Sequence, residues 1–175
     1  ALAWKLRQSP AVEKLWCAPG NGGSAQVAEC VPGDPSNVRE LADFAVKLGA
    51  DLTVVGPDLP ISLGIADEFA RRGLRLVGPR RQAAQLEGSK IFAKRFLERH
   101  AIATPAVLGV FDSPDEACHS LQAAKWPVVL KADGLCSGKG VLVAQSFDEA
   151  KSFIYRLMKD REFGPGGARL LVEEA

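Results

Sequence analysis

The chain contains no apolar run approaching the ~18 residues that a membrane span needs, and no signal-peptide succession of charged, apolar and small residues. It has almost no charge of one sign in excess. Its 22 basic and 21 acidic residues leave a net charge of +1, so no bulk field draws it to nucleic acid or to an anionic membrane. Histidine and cysteine, the usual zinc ligands, are few and dispersed. The two histidines, His100 and His119, lack ligand spacing, and the four cysteines, Cys17, Cys30, Cys118 and Cys136, form no C-x-x-C pair. These absences argue against a disulfide scaffold and against a zinc site. The expectation is a cytoplasmic protein in a reducing compartment, with neither nucleic acid nor membrane as a partner.

What is present is ordinary for a globular protein: 175 residues, 47% apolar and 25% charged. That length accommodates one large domain or two small ones. Both ends read as cut. The chain opens in helical rhythm with no N-cap and closes on LLVEEA, inside what reads as a strand. The expectation is therefore a fragment of a longer protein.

The first part alternates strands and helices. A helix opens the chain and Pro10 breaks it; residues 14–18 then read as a short buried strand. Pro19, Gly20, Asn21, Gly22 and Gly23 follow, either a ligand loop or a plain connection. Residues 35–48 are helical, with Leu41, Phe44, Ala45 and Leu48 on one side and Gly49 as the stop. Residues 51–56 read as a strand, 61–72 as one helix stopped by Gly73, and 74–79 as another strand. This alternation predicts a parallel, doubly wound sheet, whose ligands bind beyond the carboxyl ends of the strands. Gly56, Pro57 and Asp58 sit at one such end, and Asp58 is either a substrate contact or an ordinary helix-leading acid.

Gly78 and Pro79 end the alternation. A linking helix over 80–86 leads to Gly88, Ser89 and Lys90, which open a further helix with Phe92, Ala93, Phe96 and Leu97 on its buried side. Lys90 opposes the dipole at that helix start and shares a face with Lys94, which raises an anionic partner against the commoner exposed lysine. A strand is expected over 106–110. Capping boxes begin at Ser113 and Ser146, and the final strand is at 169–172.

The chain is organised around KADGLCSGKGVLVA at 131–144. Apolar, β-branched runs on both sides of a glycine-rich connector predict an antiparallel hairpin. Gly134, Gly138 and Gly140 permit positive φ and close approach of the backbone to a ligand. Freed backbone N–H groups, with Lys131 and Lys139 alongside, suit a polyphosphate. The spacing is not that of a P-loop, because only three residues separate Gly134 from Gly138 and a glycine follows Lys139.

LAWKLRQSP, APGNGG, DLTVVGP, AAQLEGSK, FAKRFLERH, KADGLCSGKGV and LVEE occur in the order and spacing of the glycinamide ribonucleotide synthetase family, of the ATP-grasp superfamily. The resemblance covers essentially the whole chain. It implies an α/β fold: a Rossmann-like parallel-sheet domain over 1–79, truncated at its start, then a linker and the start of an ATP-grasp core over 80–112. An α+β lid subdomain over 113–175 would end at the adenine hinge. The implied reaction is ATP-dependent ligation of glycine to 5-phosphoribosylamine through a glycyl phosphate, in purine biosynthesis.

Carried over by position, Lys90, Lys131, Gly134, Ser137, Gly138, Lys139 and Gly140 would hold ATP phosphates. Glu173 would accept from the adenine amino group, with the backbone of Glu174 and Ala175 along the adenine edge. Pro19, Gly20, Asn21, Gly22, Gly23, Gly56, Pro57 and Asp58 would border the phosphoribosylamine. The resemblance implies ATP and magnesium (or manganese) as cofactors, with no metal ligand in this chain. It places the principal catalytic residues in a missing later half, so the fragment alone is expected to be inactive, and the expected assembly is a monomer. Asp58 stands where the family usually has Glu, followed by Leu59, Pro60 and Ile61 in place of Ala-Pro-Leu; Cys136 and Ser137 replace two lid alanines. Two other readings remain open: another ATP-grasp ligase or carboxylase, or a non-catalytic nucleotide-binding module.

Overall fold

The computed structural model describes residues 1–136 and 138–175. The chain divides into two compact units, Ala1–Ala84 and Gln85–Ala175.

The first unit begins with helix α1 (Leu2–Arg7), followed by two very short strands, β1 (Trp16–Cys17) and β2 (Glu29–Cys30). These pair in parallel, Trp16 opposite Glu29 and Cys17 opposite Cys30. The β2 strand is not apparent in the sequence, because two exposed residues carry no alternation. Helix α2 (Val38–Leu48) starts three residues later than its apolar rhythm suggests. Asn37 caps it, accepting from the Glu40 N–H, and Gly49 closes it in the left-handed conformation at φ 64°.

Strand β3 (Thr53–Val54) pairs in parallel with β4 (Leu76–Val77). Between them the single helix expected over 61–72 is two helices, α3 (Asp58–Ser62) and α4 (Ile65–Arg71). Gly64, at φ 88°, breaks them apart. Ala42 and Ala45 of α2 pack on Ile65 and Phe69 of α4 to form this unit's core. Glu68 is buried beside that core, where Arg71 and Arg72 neutralise it; Arg72 also reaches Asp43 on α2. Hydrogen bonds to Asp43 and Glu68 push the Arg72 guanidinium further above its already high range.

Helix α5 (Arg81–Gly88) carries the chain into the second unit, where α6 (Lys90–Arg99) follows at once. Then come β5 (Val107–Phe111), α7 (Pro114–Leu121), β6 (Val128–Ala132), β7 (Val141–Ala144), α8 (Phe147–Ile154) and β8 (Leu170–Glu174). Ser113 and Ser146 cap α7 and α8 through their side chains, as their capping boxes predict. One antiparallel sheet results, in the order β5-β8-β6-β7, so the last strand enters between β5 and β6. Alternation along the strands sends Val128, Leu130, Ala132, Ala144, Leu170 and Val172 to one face. They pack there on Ala117, Leu121, Ala150, Phe153, Ile154 and Leu157.

Candidate functional site

The opposite face of that sheet carries the chemistry. Cross-strand partners share a face, so the register lays two rows across β8, β6 and β7. One row is Glu173, Val129 and Val143; the next is Leu171, Lys131 and Val141. Val141 and Val143 are 45% and 50% exposed, an apolar platform on the edge strand. Glu173, in the same rows, is 1% exposed.

A buried carboxylate demands compensation. Lys131 Nζ donates to Glu173 Oε2 at 2.6 Å, and Lys94 Nζ lies 3.2 Å from Oε1. Lys94 is itself buried on α6, and its hydrogen bonds go to the Thr104 hydroxyl and, at 2.8 Å, to the Pro105 carbonyl. The Lys94–Glu173 contact is one of charge without hydrogen-bond geometry, so Oε1 has no hydrogen-bond donor among the described residues. Two ammonium groups around one carboxylate leave an excess positive charge beside an unsatisfied acceptor. The buried side of α6 therefore centres on Ile91 and Lys94. Phe92, Ala93, Phe96 and Leu97, expected to form that side, are only half-buried.

The glycine-rich turn joins β6 to β7 next to this cluster. Positive φ occurs at Gly138, at 80°, and not at Gly134 or Gly140 as the sequence suggests. Those two are required by contact instead. A Cβ on Gly134 would lie 2.7 Å from Gly166 Cα, and one on Gly140 would lie 2.8 Å from both Ala132 and Cys136 Cβ atoms. The turn's amides are partly committed within the protein, Gly134 N–H to the Gly166 carbonyl and Lys139 N–H to the Cys136 carbonyl. Lys139 is exposed on the turn. Ser137, assigned to the phosphates by resemblance, lies outside the described residues. Burial pushes the Cys136 thiol up, with Lys90 acting against it, which disfavours the reactive thiolate.

Lys90 begins α6, where its own charge opposes the helix dipole. The anion at that end is the protein's own Asp133. Its Oδ1 accepts from Ser89 Oγ at 2.7 Å and from Ile91 N–H at 2.9 Å, and its carbonyl accepts from Lys90 N–H at 2.9 Å. Ser89 Oγ in turn accepts from Phe92 N–H. The end of β6 is thus stapled to the start of α6, which sets Lys90 Nζ 3.4 Å from the Gly134 carbonyl.

Of the residues singled out in the sequence, the fold brings Lys131 to Glu173 and Lys90 to Gly134. Glu174 N–H is taken by the Ala106 carbonyl. Glu174 and Ala175, with Leu108, Trp126, Pro127 and Val172, line a cavity of about 520 Å³ whose walls include neither Lys131 nor Glu173. In the first unit, Asn21 closes the loop after β1 on itself. Its Oδ1 accepts from the N–H groups of Gly23 and Ser24, each at 3.0 Å. Gly20 leaves room there for Cys30 Sγ. Gly56, Pro57 and Asp58 lie exposed after β3, and Asp58 begins α3, the helix-leading position. Among the described residues no hydrogen bond joins these two loops. Sequence reasoning missed Lys94, Asp133, Val141 and Val143 as site residues. The four-residue spacing of Lys90 and Lys94 was the available signal for the first.

The sheet with its glycine-rich turn and α6 lysines has the architecture of ATP-grasp proteins. One structural likeness is to the biotin carboxylase–β,γ-ATP complex of Campylobacter jejuni, with a TM-score of 0.78 at 16% identity, covering 99% of this chain and 42% of that one. Another is to phosphoribosylamine–glycine ligase of Thermotoga maritima, with a TM-score of 0.75 at 24% identity, covering 99% and 40%. The family model described as phosphoribosylglycinamide synthetase, N domain, matches residues 1–87, and that for the ATP-grasp (A) domain matches residues 88–175. The chain belongs to the phosphoribosylglycinamide synthetase family. Phosphoribosylamine–glycine ligase of Caldanaerobacter subterraneus is 47% identical over 174 residues, 99% of this chain and 42% of that protein. The chain thus spans well under half the length of the curated relatives it matches.

Proposed function

We propose that the protein to which this chain belongs joins glycine to 5-phosphoribosylamine, splitting ATP to ADP and phosphate and forming glycinamide ribonucleotide. The route runs through a glycyl phosphate that the sugar amine attacks. Family membership supports the reaction. The observation that carries this chain's part is Glu173, buried between Lys94 and Lys131 with Oε1 unsatisfied, beside an exposed valine platform.

An adenine ring stacked on Val129, Val141 and Val143 would bring its exocyclic amino group to that acceptor, with the backbone of Glu174 and Ala175 along its edge. The excess positive charge of the cluster suits the polyphosphate. Lys131 and Lys90 take its oxygens, and residues 134–140, with Ser137 and Lys139, close over it. Phosphoryl transfer spreads negative charge over several oxygens, so fixed ammonium groups and amides lower its barrier by position and charge. Residues 19–23 and 56–58 border the phosphoribosylamine. Among the described residues no group of three His, Cys, Asp or Glu side chains could hold a metal. The magnesium that accompanies ATP would take its ligands from the remainder of the protein, and no step is routed through it. The remaining assignments are a cytoplasmic monomer acting on small molecules, with domains at 1–79, 80–112 and 113–175. No helix among the described residues is long and apolar enough to cross a membrane.

The test is phosphate release from ATP by the full-length gene product, with phosphoribosylamine generated in situ, beside Lys131→Ala. Release that requires glycine and the sugar amine, and falls at least ~100-fold in the variant, is expected. Release that ignores glycine but answers to another acid or amine would move the protein to a different ATP-grasp reaction. Nucleotide binding without any release would make it a binding module.

A further inference from the structure

All four cysteines are free thiols, and Cys118 and Cys136 are buried. The other two meet in the first unit. Cys17 ends β1 and Cys30 ends β2, and the parallel register sets them opposite each other. The Val31 N–H donates to the Cys17 carbonyl at 3.0 Å and the Glu29 N–H to the Leu15 carbonyl at 2.9 Å, which fixes that register. Partners in register send their side chains to the same face, and neighbouring strands stand about 4.8 Å apart. A disulfide spans Cα atoms about 4.4–6.8 Å apart, so one bond reaches across this pair. Cys30 is exposed and Cys17 half-buried. An oxidant meets the first from solvent, and the second stands beside it as the resolving thiol. Cys30 also supports the loop that follows β1. Its Sγ lies 2.3 Å from where a Cβ on Gly20 would stand, and 3.6 Å from Ser24 Oγ. Ser24 Oγ in turn accepts from the Asn21 N–H at 2.7 Å and donates to the Asn21 carbonyl at 3.0 Å. A Cys30 side chain turned towards Cys17 leaves both Gly20 and Ser24.

We infer that Cys17 and Cys30 are a reversible disulfide site, oxidised by small-molecule disulfides, whose closure withdraws Cys30 from the loop at residues 19–23 and weakens substrate binding there. The bond stands on the strand register. Its effect rests on the reading of residues 19–23 as the border of the phosphoribosylamine. The Cys30 thiol gives its proton to water, and its sulfur attacks one sulfur of oxidised glutathione. That S–S bond breaks, and the other half leaves as a thiolate and takes up a proton. The Cys17 sulfur, deprotonated in the same way, attacks the Cys30 sulfur of the mixed disulfide and expels the second glutathione as a thiol. Two protein thiols are thereby oxidised to one disulfide, and one glutathione disulfide is reduced to two thiols. Excess thiol reverses both steps. In a reducing compartment the pair rests as thiols and closes transiently under oxidation, as redox-sensing pairs there do.

The experiment treats the full-length gene product with oxidised glutathione, blocks remaining thiols with N-ethylmaleimide and digests with trypsin and a glutamate-specific protease. Cleavage after Lys14, Glu29 and Arg39 parts the two cysteines, so residues 15–29 and 30–39 are expected as one linked pair of peptides that dithiothreitol separates. Both cysteines alkylated, or Cys30 held as the glutathione mixed disulfide with Cys17 alkylated, overturns the inference. Oxidation is expected to raise the KM for phosphoribosylamine, generated in situ, about tenfold or more and to leave that for ATP within about twofold. Dithiothreitol is expected to restore the first value, and Cys30→Ser to be indifferent to the oxidant. A linked pair that forms while both KM values hold, or rise together, overturns the withdrawal of the loop, as does a Cys30→Ser variant that responds like wild type. An untreated enzyme that ignores phosphoribosylamine overturns the reading of residues 19–23 and the effect with it, while the peptides still decide the bond.

Discussion

Replacing Asp133 with Ala should loosen the start of α6 and displace Lys90. The Asp133 carboxylate accepts from Ser89 Oγ at 2.7 Å and from Ile91 N–H at 2.9 Å, both part-buried. Hydrogen bonds to a charged group contribute about 1.5–3 kcal/mol each. Ser89 Oγ still accepts from Phe92 N–H in the variant, so one cap survives. The expected net loss is therefore about 2–4 kcal/mol, less than the sum of two such bonds. Arg169 Nη1, 3.9 Å from the other carboxylate oxygen and partly exposed, adds nothing of weight. Asp133→Asn keeps an acceptor in place and removes the charge, so it should cost only about 1–2 kcal/mol. Native-state hydrogen exchange at the β6 amides measures the change in the second unit's stability. An Ala variant within about 0.5 kcal/mol of wild type, or an Asn variant as costly as Ala, would refute the capping role argued for this carboxylate.

Two further outcomes follow from the same geometry. Gly134→Ala drives a Cβ to 2.7 Å from the Gly166 backbone and should cost about 1–3 kcal/mol in thermal unfolding, whereas Gly138→Ala meets no atom within 4 Å and should cost about 1–2 kcal/mol through its positive φ alone. A shift of the hairpin in crystals of the first variant and not of the second would separate clash from strain. The hydrogen bond from Arg156 holds the exposed Glu162 carboxyl below the ordinary glutamate range. A carboxyl lowered by folding stabilises fully above its unfolded pKa and loses that contribution as pH falls through its folded value. NMR titration should show Glu162 returning to the ordinary range in Arg156→Gln, and an unmoved titration would dismiss the pair as its cause.

Local signals were read well where the chain itself carries them. The hairpin of β6 and β7 was legible because β-branched runs flank a glycine-rich turn. The helix starts at Ser89, Ser113 and Ser146 were legible because a cap and its partner lie within one turn. The two-residue strands of the first unit carry too little pattern, so β1, β3 and β4 were read too long and β2 went unseen. The helix over 61–72 was read as continuous because glycine is tolerated within a helical pattern, and nothing local announces its left-handed turn at Gly64.

The sequence by itself determined the family, the antiparallel hairpin and the lysines around a glycine-rich turn, because order and spacing along the chain encode these. Only the tertiary structure decided what those lysines face. Strand β8, last in the chain, enters between β5 and β6, and this puts Glu173 against Lys131 across 42 residues and against Lys94 of α6. Which strand takes the middle of a sheet is settled by the burial of Leu170, Val172 and their partners over the whole unit. A buried carboxylate with one oxygen left unsatisfied is a consequence of that packing, and no local pattern carries it.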